Sequence, residues 1–263
     1  INPKQLICGR LVSRNADEPL NLERFVSRLK AALTSREYLF EDHCYRWVYG
    51  DSDGLPGLVI DRFDQVVVVQ VSNAGIELLL EELLQAINQV VPDLNILLKN
   101  DGKMRAIEGL ENYVRVAQGD VPKLVPLKEN GVSFLAPVWD GQKTGWFYDH
   151  RLNRRRVQKL ANGKRVLDIF SYIGGWGVQA AAAGAIEVVC IDASAQALEL
   201  VHQQAELNGV GDKVHTVKGD AFAVMKQLHE DGERFDIVII DPPAFIARRK
   251  DIKAGELGYQ RAN

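Results

Sequence analysis

Cysteine is scarce in this chain: Cys8, Cys44 and Cys190 are the three it has, isolated and odd in number. They form neither a disulfide framework nor a metal-ligand spacing, so no metal is expected and a reducing cytoplasm suits them. Long apolar runs are missing too; none approaches the roughly 18 residues that a membrane-spanning helix needs. Residues 1–10 show no charged start, apolar core and cleavage site of a secretory leader. No internal repeat or low-complexity segment is present. Charge of one sign is also lacking. A net charge of −3 argues against wholesale coating of nucleic acid. Two local basic runs remain, residues 151–159 (RLNRRRVQK) and 248–253 (RRKDIK). Each suits either a phosphate contact or a solvated helix face.

What is present is the composition of a soluble globular protein, with 46% hydrophobic and 25% charged residues. The length of 263 residues allows one large domain or two ordinary ones. The first 14 residues read as a short strand, LICGRLVS, without a partner of its own. Leu22, Phe25, Val26, Leu29, Ala32 and Leu33 then recur at helical spacing behind a cap at Asn21 or near Asp17. YRWVYG and GLVIDRF read as strands joined through the turn-rich residues 51–57, and VVVVQVS as a third strand. Residues 76–91 repeat the helical period until Pro92 stops it; NILLKND, YVRVAQG and GVSFLAPV supply further strands. This mixture predicts a compact α+β domain over residues 15–145.

From about Arg165 the texture changes to alternating strand and helix. RVLDIF, EVVCID, KVHTVKGD and FDIVIIDPP read as four strands, with helices over 177–183, 195–207 and 221–229 between them. Near-continuous apolar strands separated by amphipathic helices signal a parallel sheet covered on both faces. In such a sheet ligands sit at the carboxyl ends of the strands, and here those ends are acidic. Asp168 precedes the turn Ser171-Tyr172-Ile173-Gly174-Gly175-Trp176-Gly177, whose glycines let backbone approach a ligand and whose helix start offers N–H groups to a carboxylate. Asp192 ends the second strand, 18 residues after Gly174, where a carboxylate can grip ribose hydroxyls. Asp220 ends the third, within reach of an adenine amino group or its own loop. Asp241-Pro242-Pro243-Ala244-Phe245 ends the fourth.

Alone, the turn is an ordinary tight connection, and Asp192 or Asp220 an ordinary helix cap. Four acidic strand ends together are a site. A dinucleotide-dependent dehydrogenase would share the turn and the ribose acid. The Asp-Pro-Pro-Ala-Phe loop counts against it: two prolines make a rigid, donor-poor loop, and Phe245 offers a face to a planar ring. Methyl transfer to a base is the better expectation.

Asp168-Ile-Phe-Ser-Tyr-Ile-Gly-Gly-Trp, Asp192-Ala-Ser, Asn208-Gly, Gly219-Asp220-Ala and Asp241-Pro-Pro-Ala-Phe resemble the S-adenosylmethionine (SAM) motifs of class I RNA methyltransferases. The run from Gly141 to Arg151 (GQKTGWFYDHR) and the run from Gly50 to Arg62 (GDSDGLPGLVIDR) are similar to one subgroup, the bacterial large-subunit (23S) ribosomal RNA cytosine-C5 methyltransferases. The resemblance covers nearly the whole chain. It implies that Lys143, Phe147, Asp149 and Arg151 lie near the bound SAM or fold over it. Ser171, Tyr172, Gly174 and Gly175 would line its methionine end, with Asp168, just ahead of them in the first strand, also near the cofactor. Asp192 and Ala193 would meet the adenosine, Asp220 and Ala221 the adenine. Asp241, Pro242 and Phe245 would face the target base, Asp241 beside the cofactor as well.

The fold class that follows is α/β, a Rossmann-like class I SAM methyltransferase sheet over residues 146–263, preceded by the small α+β domain. Residues 1–14 would be the end of a PUA-type RNA-binding module. Such a sheet normally has seven strands and four are read here, so the chain is expected to be part of a longer protein, truncated at both ends. Cytosine C5 is a poor nucleophile, and enzymes acting there first add a cysteine thiolate to C6. The resemblance places that thiol in a Ser-Cys-Ser-type loop beyond Asn263. Cys190 sits in an apolar strand and Cys44 in a loop beside His43; neither is assigned a role. The expected partner is large-subunit ribosomal RNA, with no membrane. A guanine-N2 ribosomal RNA methyltransferase is the rival enzyme, and a non-catalytic RNA-binding protein that keeps the fold is the rival of a different class.

Overall fold

The computed structural model describes residue 2, residues 7–246 and residues 249–262. It divides into two compact units, residues 1–129 with 135–148, and residues 130–134 with 149–263.

In the first unit the helical period after Leu20 forms α1 (Leu22–Leu39), capped by Asn21, whose side chain accepts the Arg24 N–H. β1 (Cys44–Tyr49) runs through a 3-10 turn at Gly50–Asp53 into antiparallel β2 (Leu58–Phe63), and β2 into antiparallel β3 (Val66–Val71). The helical stretch that follows is broken rather than continuous. A single turn, α2 (Ala74–Glu77), is separated from α3 (Leu80–Val90) by Leu78 and Leu79, and Leu78 is 85% exposed. β4 (Asn95–Asn100) pairs parallel with β3; the short α4 (Lys103–Glu108) leads to β5 (Tyr113–Gln118), antiparallel to β4. The five strands form one mixed sheet in the order β1-β2-β3-β4-β5. Its core gathers Phe25, Leu29, Trp47, Leu58, Ile60, Val67, Leu83 and Leu98, and the Trp47 indole donates to the Leu29 carbonyl at 3.0 Å.

The specific run GDSDGLPGLVIDR turns out to be architecture. Asp53 receives the Arg36 guanidinium at 2.8 and 2.7 Å and the Tyr49 N–H at 2.6 Å, which closes the turn between β1 and β2. Gly57 adopts φ +83°, and a Cβ there would stand 2.1 Å from the Asn73 amide. Asp61, fully buried, is held by Arg46 at 2.8 and 2.9 Å and by the Thr144 hydroxyl.

Two expectations for this unit fail. The described part of LICGRLVS, residues 7–13, forms no strand; Ile7 and Leu11 are 64% and 70% exposed, and no neighbouring strand supplies a ladder. Cys44 lies not in a loop but at the start of β1, buried in the sheet.

β6 (Leu124–Glu129) and β7 (Val132–Pro137) make a separate two-stranded sheet. The second unit then alternates as its apolar pattern requires: α5 (Arg151–Ala161), β8 (Arg165–Ile169), α6 (Gly177–Ala182), β9 (Glu187–Asp192), α7 (Ala195–Leu207), β10 (Val214–Lys218), α8 (Ala221–Glu230), β11 (Ile237–Ile240) and α9 (Ile252–Ala262). The sheet is parallel throughout, in the order β10-β9-β8-β11. Counted within the unit this is 3-2-1-4, a Rossmann-like order whose direction reverses between β8 and β11. Asn208, at the end of α7, pins the Ser133 backbone from both sides, accepting its N–H at 3.0 Å and donating to its carbonyl at 2.7 Å. That contact explains why an Asn-Gly pair stands there.

Arg105 offers a test of the first unit. It is 2% exposed and donates to the Val71 and Glu111 carbonyls and to Glu77 at 2.7 to 2.9 Å. Arg105→Met leaves those acceptors unmatched and should destabilise the unit by about 3–5 kcal/mol, read as a lowered midpoint in urea unfolding.

Candidate active site

The strand order makes a crevice at the carboxyl ends of β8 and β11, and the chain fills both sides of it with unusual backbone and acidic groups. Phe170, Tyr172 and Gly174 all have positive φ, at 64°, 50° and 80°. Non-glycine residues rarely adopt this region, at roughly 1–3 kcal/mol each. The strained turn is tied down by the Ser171 N–H to the Ile191 carbonyl at 3.0 Å and by the Tyr172 N–H to Asp192 Oδ2 at 2.9 Å.

Asp168 lies under that turn, fully buried in β8. Its Oδ2 accepts the Gly177 N–H at 2.8 Å, while its Oδ1 has no hydrogen-bond partner among the described residues. Ser171 Oγ is likewise buried and without a partner. Burial pushes the Asp168 carboxyl up to about 7, Asp241 and Asp192 push the same way, and the Gly177 N–H and Arg154 oppose them. Gly177 is required by space: a Cβ there would stand 2.5 Å from Cys190 Sγ and 3.1 Å from Asp168 Oδ2. The expectation of free N–H groups at this helix start is corrected accordingly. Gly177 N–H is spent on Asp168 and Val178 N–H on the Gly174 carbonyl.

Asp192, half-buried at the end of β9, bridges two loops, since its Oδ1 accepts the Ser194 N–H at 2.8 Å and its Oδ2 the Tyr172 N–H. Each oxygen keeps a lone pair for a further donor. Asp220 is exposed and caps α8, accepting the Ala223 N–H at 3.0 Å, and Ala221 beside it is buried. Ala193 is exposed.

On the other side of the crevice Asp241 accepts the Trp176 indole N–H at 3.0 Å, and His150 Nε2 lies 3.7 Å from it. The His150 and Trp176 rings are 5.5 Å apart, and the Arg154 guanidinium lies 5.7 Å from the Trp176 ring. Phe245 does not stand alone. It packs against Phe170 at 6.2 Å, Phe222 at 6.0 Å and Tyr259 at 4.9 Å.

The structure therefore gathers Asp168, Ser171, Tyr172, Gly174, Gly175, Asp192 and Asp241 around one crevice. Pro242 and Phe245 follow in its loop. Arg151 is buried at the start of α5, and Asp149 is exposed just before it. Lys143 and Phe147 belong to the first unit, with the ammonium 4.4 Å from the ring centroid. Their segment is anchored there by Trp146 to Glu129 at 3.1 Å and Tyr148 to the Arg62 carbonyl at 2.8 Å. Sequence reasoning missed His150, Arg154, Phe170, Trp176 and Phe222. Trp176 stood in the quoted turn, and an indole N–H needs an acceptor when half-buried. Of the two basic runs, 151–159 is α5, while Arg248 lies outside the described residues. Among the described residues no cluster of His, Cys, Asp and Glu could hold a metal ion, and no helix is long and apolar enough to cross a membrane.

A model of S-adenosylmethionine-dependent methyltransferases matches residues 115–252, more than half of the chain. The chain belongs to the S-adenosylmethionine-dependent methyltransferase family. SAM is that family's cofactor, and the residues fit it. SAM carries a sulfonium and an ammonium cation, and the crevice offers three acidic side chains with two buried polar atoms still unmatched. Relatives named ribosomal RNA large subunit methyltransferase I include those of Erwinia tasmaniensis, 37% identical over all of this chain and 67% of that protein, and Aeromonas salmonicida, 37% identical over 98% and 66%. The chain thus spans about two thirds of the length of these curated relatives. Among solved structures, SMU.776, described as a methyltransferase and complexed with SAH, superposes with a TM-score of 0.80 at 28% identity, over 91% of this chain and 62% of that one.

The raised Asp168 carboxyl has a pH signature. The native protein holds a proton that the unfolded chain releases from about pH 4 upward, so this group's contribution to stability is full below pH 4 and lost as pH rises through about 7. A cation at Asp168 favours the ionised form. SAM binding at pH 6 should therefore release about one proton, seen by calorimetry in buffers of different ionisation enthalpy. Asp168→Asn should abolish that release.

Proposed function

We propose that the chain forms the SAM-binding and base-facing part of a ribosomal RNA methyltransferase that modifies cytosine C5 in 23S ribosomal RNA, in the cytoplasm. The observation that carries the reading is the crevice between β8 and β11. What supports it there is the open Oδ1 of Asp168 within electrostatic reach of Asp241, whose loop carries the half-buried Phe245. Curated relatives named for the large-subunit ribosomal RNA support the substrate class.

In this reading SAM, when bound, supplies an electrophilic methyl group. Asp168, Ser171, Tyr172, Gly174 and Gly175 hold its methionine end, and Asp192 with Ala193 its ribose, using the lone pairs left over from the backbone contacts. Asp220 and Ala221 border the adenine. Asp149 and Arg151 complete the cofactor's surroundings within the second unit. Asp241, with its orientation fixed by Trp176, and Pro242 hold the amino edge of an extruded base, and Phe245 takes its face. Residues 1–14 are read as the end of a PUA-type RNA-binding module, residues 15–145 as the central α+β domain and residues 146–263 as methyltransferase sheet.

C5 methylation needs a thiolate that adds to cytosine C6, so that C5 attacks the methyl group; a base then takes the C5 proton and the thiolate leaves. Cys190 does not fill this role. It is fully buried beneath Gly177, and burial pushes its thiol up. Cys8 and Cys44 belong to the first unit. One second reading is methylation of guanine N2, in which the exocyclic amine attacks directly and no thiol is needed.

Mass spectrometry of 23S ribosomal RNA from cells with and without the gene separates the two. A 5-methylcytosine that vanishes with the gene supports the first reading, a lost N2-methylguanine the second, and an unchanged modification map defeats both. At the site itself, Asp192→Ala should weaken SAM binding by about 1–3 kcal/mol, measured by titration calorimetry.

A further inference from the structure

α5 has two faces of opposite character. Its inner face buries Arg151, Arg154 and Ala161. It is fastened through Asn130, which donates to the Arg151 carbonyl and to Gln179 at 2.9 Å and accepts from Gln158 at 3.3 Å. Its outer face is exposed and carries Arg155, Arg156 and Lys159. None of these three forms an ion pair among the described residues, and the helix contains no acidic residue of its own. Leu152 and Leu160 frame the cations on the same surface at 63% and 65% exposure. The face therefore presents an unbalanced row of cations with no acid at i±4 to neutralise them.

The helix is also aimed. Its N-cap is His150, 3.7 Å from Asp241, and its second turn stacks Arg154 near Trp176, the residue that donates to Asp241. At 1.5 Å per residue its 11 residues run for about 16 Å away from the base-facing loop. The first turn of α5 thus adjoins the loop that carries Asp241.

We propose that the outer face of α5 is a docking surface for the RNA strand that carries the target base, with Arg155, Arg156 and Lys159 on its phosphates and Leu152 and Leu160 against its unstacked bases or riboses. This rests on the reading that the substrate is RNA. An unbalanced row of cations suits a polyanion better than a protein surface of mixed charge, and guanidinium planes beside apolar side chains suit unpaired RNA.

The test is a salt titration of binding to an unmodified 23S ribosomal RNA transcript. The combined variant Arg155→Gln, Arg156→Gln, Lys159→Gln should bind about a hundredfold more weakly at 0.1 M salt, with the slope of log affinity against log salt shallower by about 2. Its affinity for SAM should stay that of the wild type, which certifies the fold. Arg155→Lys with Arg156→Lys keeps the charge and should keep the slope. If the combined variant misfolds, each single Gln variant should still lower the slope by about 0.7. Wild-type RNA affinity and slope in variants that still bind SAM would overturn the proposal while leaving the proposed function standing. A wild-type protein that binds no 23S transcript at 0.1 M salt would overturn both.

Discussion

A carboxylate buried at the end of β8 organises the second unit. Asp168 sits where the strand order reverses, receives the first amide of α6 and lies below three left-handed residues of the turn, Phe170, Tyr172 and Gly174. A fully buried acid is costly unless it is paired or neutral, and here only one of its oxygens is matched. The site around it is built to support that cost. Gly177 has no Cβ because Cys190 and Asp168 occupy the space, and Val188 closes it from the sheet side at 3.1 Å. Asp192 and Asp241 then surround Asp168 with like charge, opposed by Arg154. Such an arrangement is unfavourable when empty and favourable with a cation. Stability is surrendered in the free protein so that binding can recover it.

The first unit solves the opposite problem. Its buried charges are matched in place: Asp61 with Arg46, Arg105 with Glu77 and two carbonyls, Lys99 with the Gly141 carbonyl at 2.6 Å. Buried polar groups that are fully satisfied define one arrangement of the chain. The same sequence feature, a carboxylate in a glycine-rich stretch, therefore has two meanings in one protein. Asp53 and Asp61 are closed off by guanidinium partners, whereas Asp168 keeps an oxygen open.

Legibility in the sequence follows this division. α7 is met residue for residue at 195–207 and the four parallel strands in their places, because buried apolar strands and an amphipathic helix leave a strong period. The acids at the strand ends were visible because polar residues interrupt those runs. What escaped has no such period. α5 carries Arg and Lys on both faces, so its pattern reads as a charge run rather than a helix, although two of its arginines are buried. α9 contains Gly255 and Gly258, poor helix formers that are there for close approach. β6 holds Pro126, which reads against a strand and is tolerated in a two-stranded sheet. LICGRLVS, by contrast, has strand composition without a neighbour, and composition alone makes no ladder. His150, a lone histidine in GQKTGWFYDHR, gained meaning only when the fold brought Asp241 to it.

The aromatic wall shows why single residues were a poor unit for reading the loop after β11. Phe170 follows β8, Phe222 opens α8, Phe245 lies in the loop after β11 and Tyr259 sits in α9, yet the four rings form one contiguous cluster. Phe245 is held in it by more than ring contacts, since its backbone N–H donates to the Tyr259 hydroxyl at 3.3 Å. The approach of α9 depends on its two glycines. A Cβ at Gly255 would stand 2.9 Å from the Phe245 carbonyl oxygen, and one at Gly258 3.0 Å from the Phe245 ring. The surface after β11 is therefore assembled by four elements, and its shape is set by α9 as much as by Phe245. The spacing between this wall and the Asp241–Trp176 pair is likewise set by several elements together, a distance that no single motif encodes.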